Sequence, residues 1–351
     1  MPLTIRSILR STVLLMAAAV VVTACSDMTA PTAGLSPAEL EAAKGGHVAL
    51  THPANGTISQ TVPLASSPWG LAVSSRGDVL TVFPYASAVG GFALSDPTAA
   101  RPQLAVGAYP LDVIFNRSGT IAYVSARSAG RVDVIDVRSN TVKSSIPLGV
   151  EIYRLALSRD ETRIYATTLD GRLWTARTKG GDPGATSEDL APIWSPIQGK
   201  ALSPSGTDLF VASTTGQVWR LDPATLDVRQ TVTLPRRIQD IAVTPDGSAL
   251  WAADESGYVV RLDPATLTPT ATVDLTGVGA QPFGLAISPD GARIYVASSL
   301  TGTVFIIAET APNTFSATPV TTGGAPRRIA FGENGAVAVV SNEASWVDLI
   351  R

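Results

Sequence analysis

Seven copies of a motif about 42 residues long predict an all-β fold: a seven-bladed β-propeller of four-stranded antiparallel blades, its ring closed by the N-terminal strand pairing into the last blade. Three observations carry that prediction. The copies start at 68, 110, 152, 197, 238, 282 and 326, at near-constant steps. A glycine stands nine residues after nearly every start. The last copy is one strand short, and a strand-like segment precedes the first.

The motif opens on a first strand, as in Pro68-Trp-Gly-Leu-Ala-Val-Ser, Ile238-Gln-Asp-Ile-Ala-Val-Thr and Pro282-Phe-Gly-Leu-Ala-Ile-Ser. A hairpin turn follows at Gly77, Gly119, Gly206, Gly247, Gly291 and Gly335, with Glu161 the departure in the third copy. Proline before it presets φ and glycine accepts φ > 0, which is the chemistry of a tight turn. The second strand carries an aromatic thirteen residues after the start: Tyr123, Tyr165, Phe210, Trp251 or Tyr295, with Thr81 and Val339 as exceptions. We read these as packing between blades. A third strand ends in an Asp-Pro-Ala-Thr turn, clearest at Asp222 to Thr225 and Asp263 to Thr266. The Asp side chain there can accept bonds from backbone amides two residues on. A short fourth strand completes the unit, as in Arg229 to Leu234. The seventh unit stops after Ser345 to Ile350, so Thr57 to Leu64 is expected to supply its fourth strand and remove the open seam.

The first 25 residues have a different character. Arg6 and Arg10 precede an apolar run, Val13 to Val22, that is too short to span a bilayer and suits a signal-peptide core. Val22-Thr-Ala-Cys25 resembles the bacterial lipobox and ends on the chain's single cysteine. The expected organisation is a lipoprotein signal peptide over 1–24, a lipidated tether over 25–46 and the propeller over 47–351. That makes the membrane a partner through Cys25. Ser26 is not the aspartate that retains proteobacterial lipoproteins at the inner membrane, so an outer-membrane anchor is the expectation, with the periplasmic or surface side open. Within the tether, Ser36-Pro-Ala-Glu39 has the form of a capping box.

Removing residues 1–24 removes two arginines from a net charge of −3, leaving −3 − 2 = −5. A mildly acidic chain makes a poor nucleic-acid platform. A lone cysteine allows no internal disulfide, and a monomer is expected. His47 and His52 are the only histidines and precede the first repeat. No metal site, cofactor or catalytic residue is expected. Asp112, Asp240 and Glu343 are acids that a bound Ca²⁺ would need to converge, but their spacing does not single them out.

Ala122-Tyr-Val-Ser-Ala-Arg-Ser-Ala-Gly-Arg-Val-Asp-Val-Ile-Asp136 and Ile294-Tyr-Val-Ala-Ser-Ser-Leu-Thr-Gly-Thr-Val-Phe-Ile-Ile307 resemble the Tyr-Val-Thr-Asn repeat of the YVTN/YncE-like β-propeller family. The resemblance covers the whole ring, with copies one, three and seven degenerate. It implies seven blades, a secreted or surface-associated protein, and a binding or scaffolding role by default. Enzymes on related rings, of the streptogramin-lyase and lactonase types, use histidines that the repeats here lack.

Two sets of residues at matching places in the first strands are the candidates for a site. One is Trp69, Leu111, Tyr153, Gln198, Gln239, Phe283 and Arg327; the next along is Gly70, Asp112, Arg154, Gly199, Asp240, Gly284 and Arg328. Strand alternation sends the two sets to opposite faces. In one reading Asp112, Arg154, Asp240 and Arg328 of the second set form solvated or water-bridged ion pairs that line the channel and orient the blades. In the other, its glycines leave room while Arg154, Arg328, Arg327, Lys200, Arg236 and Arg237 hold an anionic or polar ligand, with Trp69, Tyr153 and Phe283 as apolar walls. Trp174 and Trp219 are expected in blade packing, and Trp194 in an outer-rim insertion spanning Lys179 to Pro196. The expected function is an envelope-anchored scaffold for a ligand or protein. The alternative is a lactonase-like hydrolase or lyase working at the channel mouth.

Overall fold

The computed structural model describes residues 58–178, 186–189, 196–332, 338–342 and 344–350. These form seven four-stranded antiparallel sheets. The inner strands are Leu71–Val73, Pro110–Phe115, Ile152–Leu157, Ile197–Leu202, Ile238–Val243, Pro282–Ile287 and Pro326–Phe331. Each begins at or just after the start read from the repeat. The lipidation candidate Cys25, the tether, His47, His52, Trp194 and Glu343 lie outside the described residues.

The seventh sheet takes its outer strand from the other end of the chain. Ile58–Pro63 pairs antiparallel with Trp346–Ile350, from Ile58 opposite Ile350 to Pro63 opposite Trp346. Thr61 donates a hydrogen bond to Asp348 at 2.8 Å. Val62 is buried with Val347 and Leu349, and this cluster continues onto Leu71, Val79 and Phe92 of blade one. The closing strand therefore joins two blades through one core. Blade three shows a difference from expectation. Its outer strand, Thr186–Asp189, lies inside the stretch read as a rim insertion and pairs with Arg172 to Thr175. The turn residues that flank this strand hid a short polar segment, because an outer strand needs little apolar character.

The second-strand aromatics sit where a stack of sheets needs bulk. Tyr123 packs with Leu155 and Ile164 of the next blade, Tyr165 with Leu209 and Val211, and Trp251 with Ile294 and Val296. Phe210 joins Leu250 and Leu262 in the same way, and Tyr295 meets Phe331 edge-on at 5.0 Å. The Tyr165 hydroxyl donates to the Pro223 carbonyl of blade four at 2.7 Å, so its polar tip is not left unpaired. Trp219 is buried in the same seam, as expected, and Trp174 packs beside Tyr123's cluster. Thr81, one of the exceptions, is fully buried and donates to the Gly70 carbonyl at 2.8 Å.

The hairpin turns behave as their sequence dictates. Gly77, Gly119, Gly206, Gly247 and Gly291 all have positive φ, and Glu161 adopts φ of 60° in the one copy without glycine. That strained backbone is compensated by two bonds. The Arg117 amide donates to the Glu161 carboxylate at 2.5 Å, and the Thr178 hydroxyl to the Glu161 carbonyl at 2.7 Å. Asp246 is held at about 2 by hydrogen bonds from Thr244 and Ser248. Deleting residues 47–65 removes the closing strand and bares the edge of Trp346–Ile350. Calorimetry is expected to show a melting temperature lower by roughly 10 °C or more, with aggregation, whereas deletion of 27–44 leaves it unchanged.

Candidate functional site

The inner strands share an irregularity that shapes the channel. In six of them the pairing register shifts just after the first residue, as between Pro110 and Asp112 or between Ile238 and Asp240. A bulge there interrupts the simple alternation on which the separation of the two candidate sets rested, and nearly all members of both sets are buried. The amides freed by the bulge find side-chain acceptors. Asp112 donates to the Ser125 hydroxyl at 2.8 Å and Arg154 to the Thr167 hydroxyl at 3.2 Å.

The first set fills the channel end nearest the loops that lead into the inner strands. Tyr153, Leu111, Gln239, Phe283, Gln198 and Trp69 are all buried. The Tyr153 hydroxyl donates to Gln198 at 3.3 Å. Trp69 and Phe283, from blades one and six, meet edge-on with centroids 6.4 Å apart. The Arg327 guanidinium lies 4.7 Å from the Trp69 ring and 4.4 Å from that of Phe283. The aromatic walls expected for a ligand are thus occupied by an arginine of the chain itself. Arg236 and Arg237 sit further out. Arg236 bonds buried Asp254 at 3.2 Å, and Arg237, an exposed rim residue, pairs with Glu255 at 3.0 Å.

The second set forms a charged layer across the ring. Arg154 reaches Asp112 of blade two at 3.2 Å and Asp240 of blade five at 3.5 Å. Arg328 of blade seven reaches Asp240 at 3.2 Å. These side chains are at most 9% exposed, so the ion pairs are buried and not solvated as the sequence reading supposed. Each carboxylate also takes a backbone amide from the next blade: Leu155 donates to Asp112 at 2.9 Å and Leu285 to Asp240 at 3.3 Å. Nor do the glycines of this set leave room for a ligand. A Cβ on Gly70 would stand 2.3 Å from the Leu111 carbonyl oxygen, and one on Gly284 would stand 2.0 Å from that of Arg327. They are small because the neighbouring backbone passes there.

The charges are unevenly satisfied. Desolvation works against Arg154, but Asp240 and Asp112 outweigh it and hold its guanidinium more firmly charged than usual. Burial pushes Arg328 down, and Arg154 adds repulsion that Asp240 only partly offsets. Its Nε and Nη2 are buried without a hydrogen-bond partner. Lys200, one place further along its strand, is half-buried; burial pushes its ammonium down, with Asp112 opposing. Asp112 and Asp240 flank Arg154, which takes the place a Ca²⁺ would need, and among the described residues no group of acids or histidines converges on a metal position.

Below this layer the channel opens. A cavity of about 600 Å³ runs from Asp112, Arg154, Lys200, Asp240 and Arg328 to the hairpin turns at Ser74, Asn116, Arg117 and Pro245. The open end is therefore opposite the one expected. The sequence carried a signal for it that our reading did not use. The residue four places after each start is alanine in six copies, and Ala72, Ala201, Ala242, Ala286 and Ala330 line the shaft. Methyl side chains at that level leave the void.

Removing a shared carboxylate from a buried network strands its partners. Asp240→Ala is expected to cost about 3–5 kcal/mol in denaturant unfolding, since Arg154 and Arg328 both lose it. Lys200→Met is expected to raise stability at neutral pH. A lysine whose folded pKa lies below its unfolded value penalises the fold while charged, and the penalty fades as pH rises through the folded pKa. The gain over the native protein therefore shrinks in alkaline buffer.

Comparison with known proteins adds the fold and nothing finer. No family model matches the chain, and no curated protein does. Among solved structures, a chain of a mitotic checkpoint complex is similar with a TM-score of 0.73 at 16% identity, covering 86% of this chain and 96% of that one. The β-propeller domain of Cps50 (Swd1) from Myceliophteria thermophila gives 0.71 at 12% identity over 83% and 98%. A streptogramin B lyase gives 0.71 at 16% identity over 83% and 96%. At such identities the likeness establishes that the chain is a β-propeller.

Proposed function

We propose that this chain is an envelope-anchored lipoprotein of the YVTN/YncE-like kind, whose propeller is a rigid scaffold that binds a ligand or a protein. The observation that carries this reading is the channel. One end is filled by the chain's own side chains, the middle is a fixed charged layer, and the other end is a cavity of about 600 Å³, a size suited to a small molecule. The ion pairs and backbone bonds that fix Asp112, Arg154 and Asp240 suit them to hold their geometry rather than to shuttle protons. The repeats contain no histidine to act as a base. The lipobox-like run before Cys25 supports the anchor.

Two measurements test this. Cells expressing Cys25→Ala are expected to release the protein from the membrane fraction, where the native chain stays; equal retention sinks the anchor. Purified protein lacking residues 1–25, screened by thermal shift against fractions of a small-molecule extract, is expected to be stabilised and to return its ligand with unchanged mass. A ligand returned with altered mass favours the hydrolase or lyase reading instead.

A further inference from the structure

The channel's charges do not balance. At the charged layer, counted over the described residues, Arg154, Lys200 and Arg328 face the cavity against Asp112 and Asp240, leaving one positive charge over. Both carboxylates are already engaged by Arg154. Asp112 Oδ2 accepts from Arg154 Nε at 3.2 Å and from the Leu155 amide at 2.9 Å. Asp240 Oδ1 accepts from Arg154 Nη1 at 3.5 Å and the Ile241 amide at 3.1 Å, and its Oδ2 from Arg328 Nη1 at 3.2 Å and the Leu285 amide at 3.3 Å.

The donors left short of partners are the Lys200 ammonium and, beyond the Nη1 that Asp240 and the Phe283 carbonyl engage, the Arg328 guanidinium. The Lys200 ammonium makes no ion pair or hydrogen bond among the described residues, and the residue lines the cavity. Arg328 is 3% exposed, lines the same cavity, and keeps its Nε and Nη2 without a hydrogen-bond partner. A surplus cation held in a low-dielectric wall is costly unless a counter-charge joins it. Carboxylate and phosphate oxygens are the natural partners of an ammonium beside a guanidinium. The alanine-lined shaft admits a small body behind the anionic group, and Arg117 at the mouth adds a further cation on the way in.

We propose that the cavity opening on the hairpin-turn face binds a small solute bearing a carboxylate or phosphate group, held between Lys200 and Arg328. The inference rests on the scaffold reading and names the ligand class of its channel.

The test is titration calorimetry of the purified full ring with succinate and, separately, inorganic phosphate, at constant ionic strength. The two arms distinguish carboxylate from phosphate. Saturable binding of at least one of them, at one site per chain, is expected. Lys200→Gln is expected to weaken it about tenfold or more, as loss of one charge-assisted bond implies, while Lys200→Arg restores most of the affinity. Arg138→Gln, on an exposed outer turn, is expected to leave it unchanged. Lys200 has no partner to lose, so an unchanged or higher melting temperature for Lys200→Gln shows that the fold is intact. If neither anion binds, or Lys200→Gln binds as tightly as the native protein, the proposal is overturned. Saturable binding of neutral succinamide in place of succinate sinks the anion class and leaves the scaffold reading standing. Succinate bound through Lys200 but returned with altered mass upholds the anion class and sinks a binding-only role.

Discussion

The pairing of Ile58–Pro63 with Trp346–Ile350 is the constraint on which the rest of the ring depends. Each sheet buries its faces against two neighbours, so a ring with one open seam leaves two sheets half-covered and an edge unpaired. The closing strand supplies both a hydrogen-bonded edge and Val62, which packs into the cluster that reaches Phe92. Five of the other six seams then follow one scheme, with an aromatic of one blade set into the strands of the next, while blade one has Thr81 in that place.

Closure also forces seven inner strands towards one axis, and this crowding explains the channel. At the level of Gly70 and Gly284 the neighbouring backbone leaves no space for a side chain. At the same level in other blades, Asp112, Arg154, Asp240 and Arg328 span the ring and bond each other. Buried ions contribute little net stability when replaced as a set, but each is costly to remove singly. The layer therefore fixes the relative positions of blades two, three, five and seven. Towards the loops, Trp69, Tyr153 and Phe283 fill the axis. Towards the hairpin turns, alanines leave it open. A closed ring thereby acquires one open end, with a cationic floor.

The fold was legible because it is periodic. Starts, turn glycines and second-strand aromatics recur at fixed offsets, and each offset maps to one local geometry. The same periodicity singled out Asp112, Arg154, Asp240 and Arg328 as one level of the ring. Their burial was not legible, because a charged residue in sequence carries no mark of how closely the opposite wall approaches. The bulge after each strand's first residue was equally silent, and it defeats a simple alternation argument. Trp69 and Phe283 read as open walls for a ligand, and only the fold brings Arg327 between them.

The sequence by itself determined the strand count, the turns, the seams and the closing partner, because these are local or repeat-spaced properties of the chain. Tertiary structure alone decided which end of the channel is filled, which charges are paired and which are left over. Lys200 and Arg328 are 128 residues apart in sequence, and their shared surplus of charge exists only once the ring brings all seven blades' inner strands around one cavity. Electrostatic balance depends on distances through space and on exclusion of water, and neither is written in the order of residues.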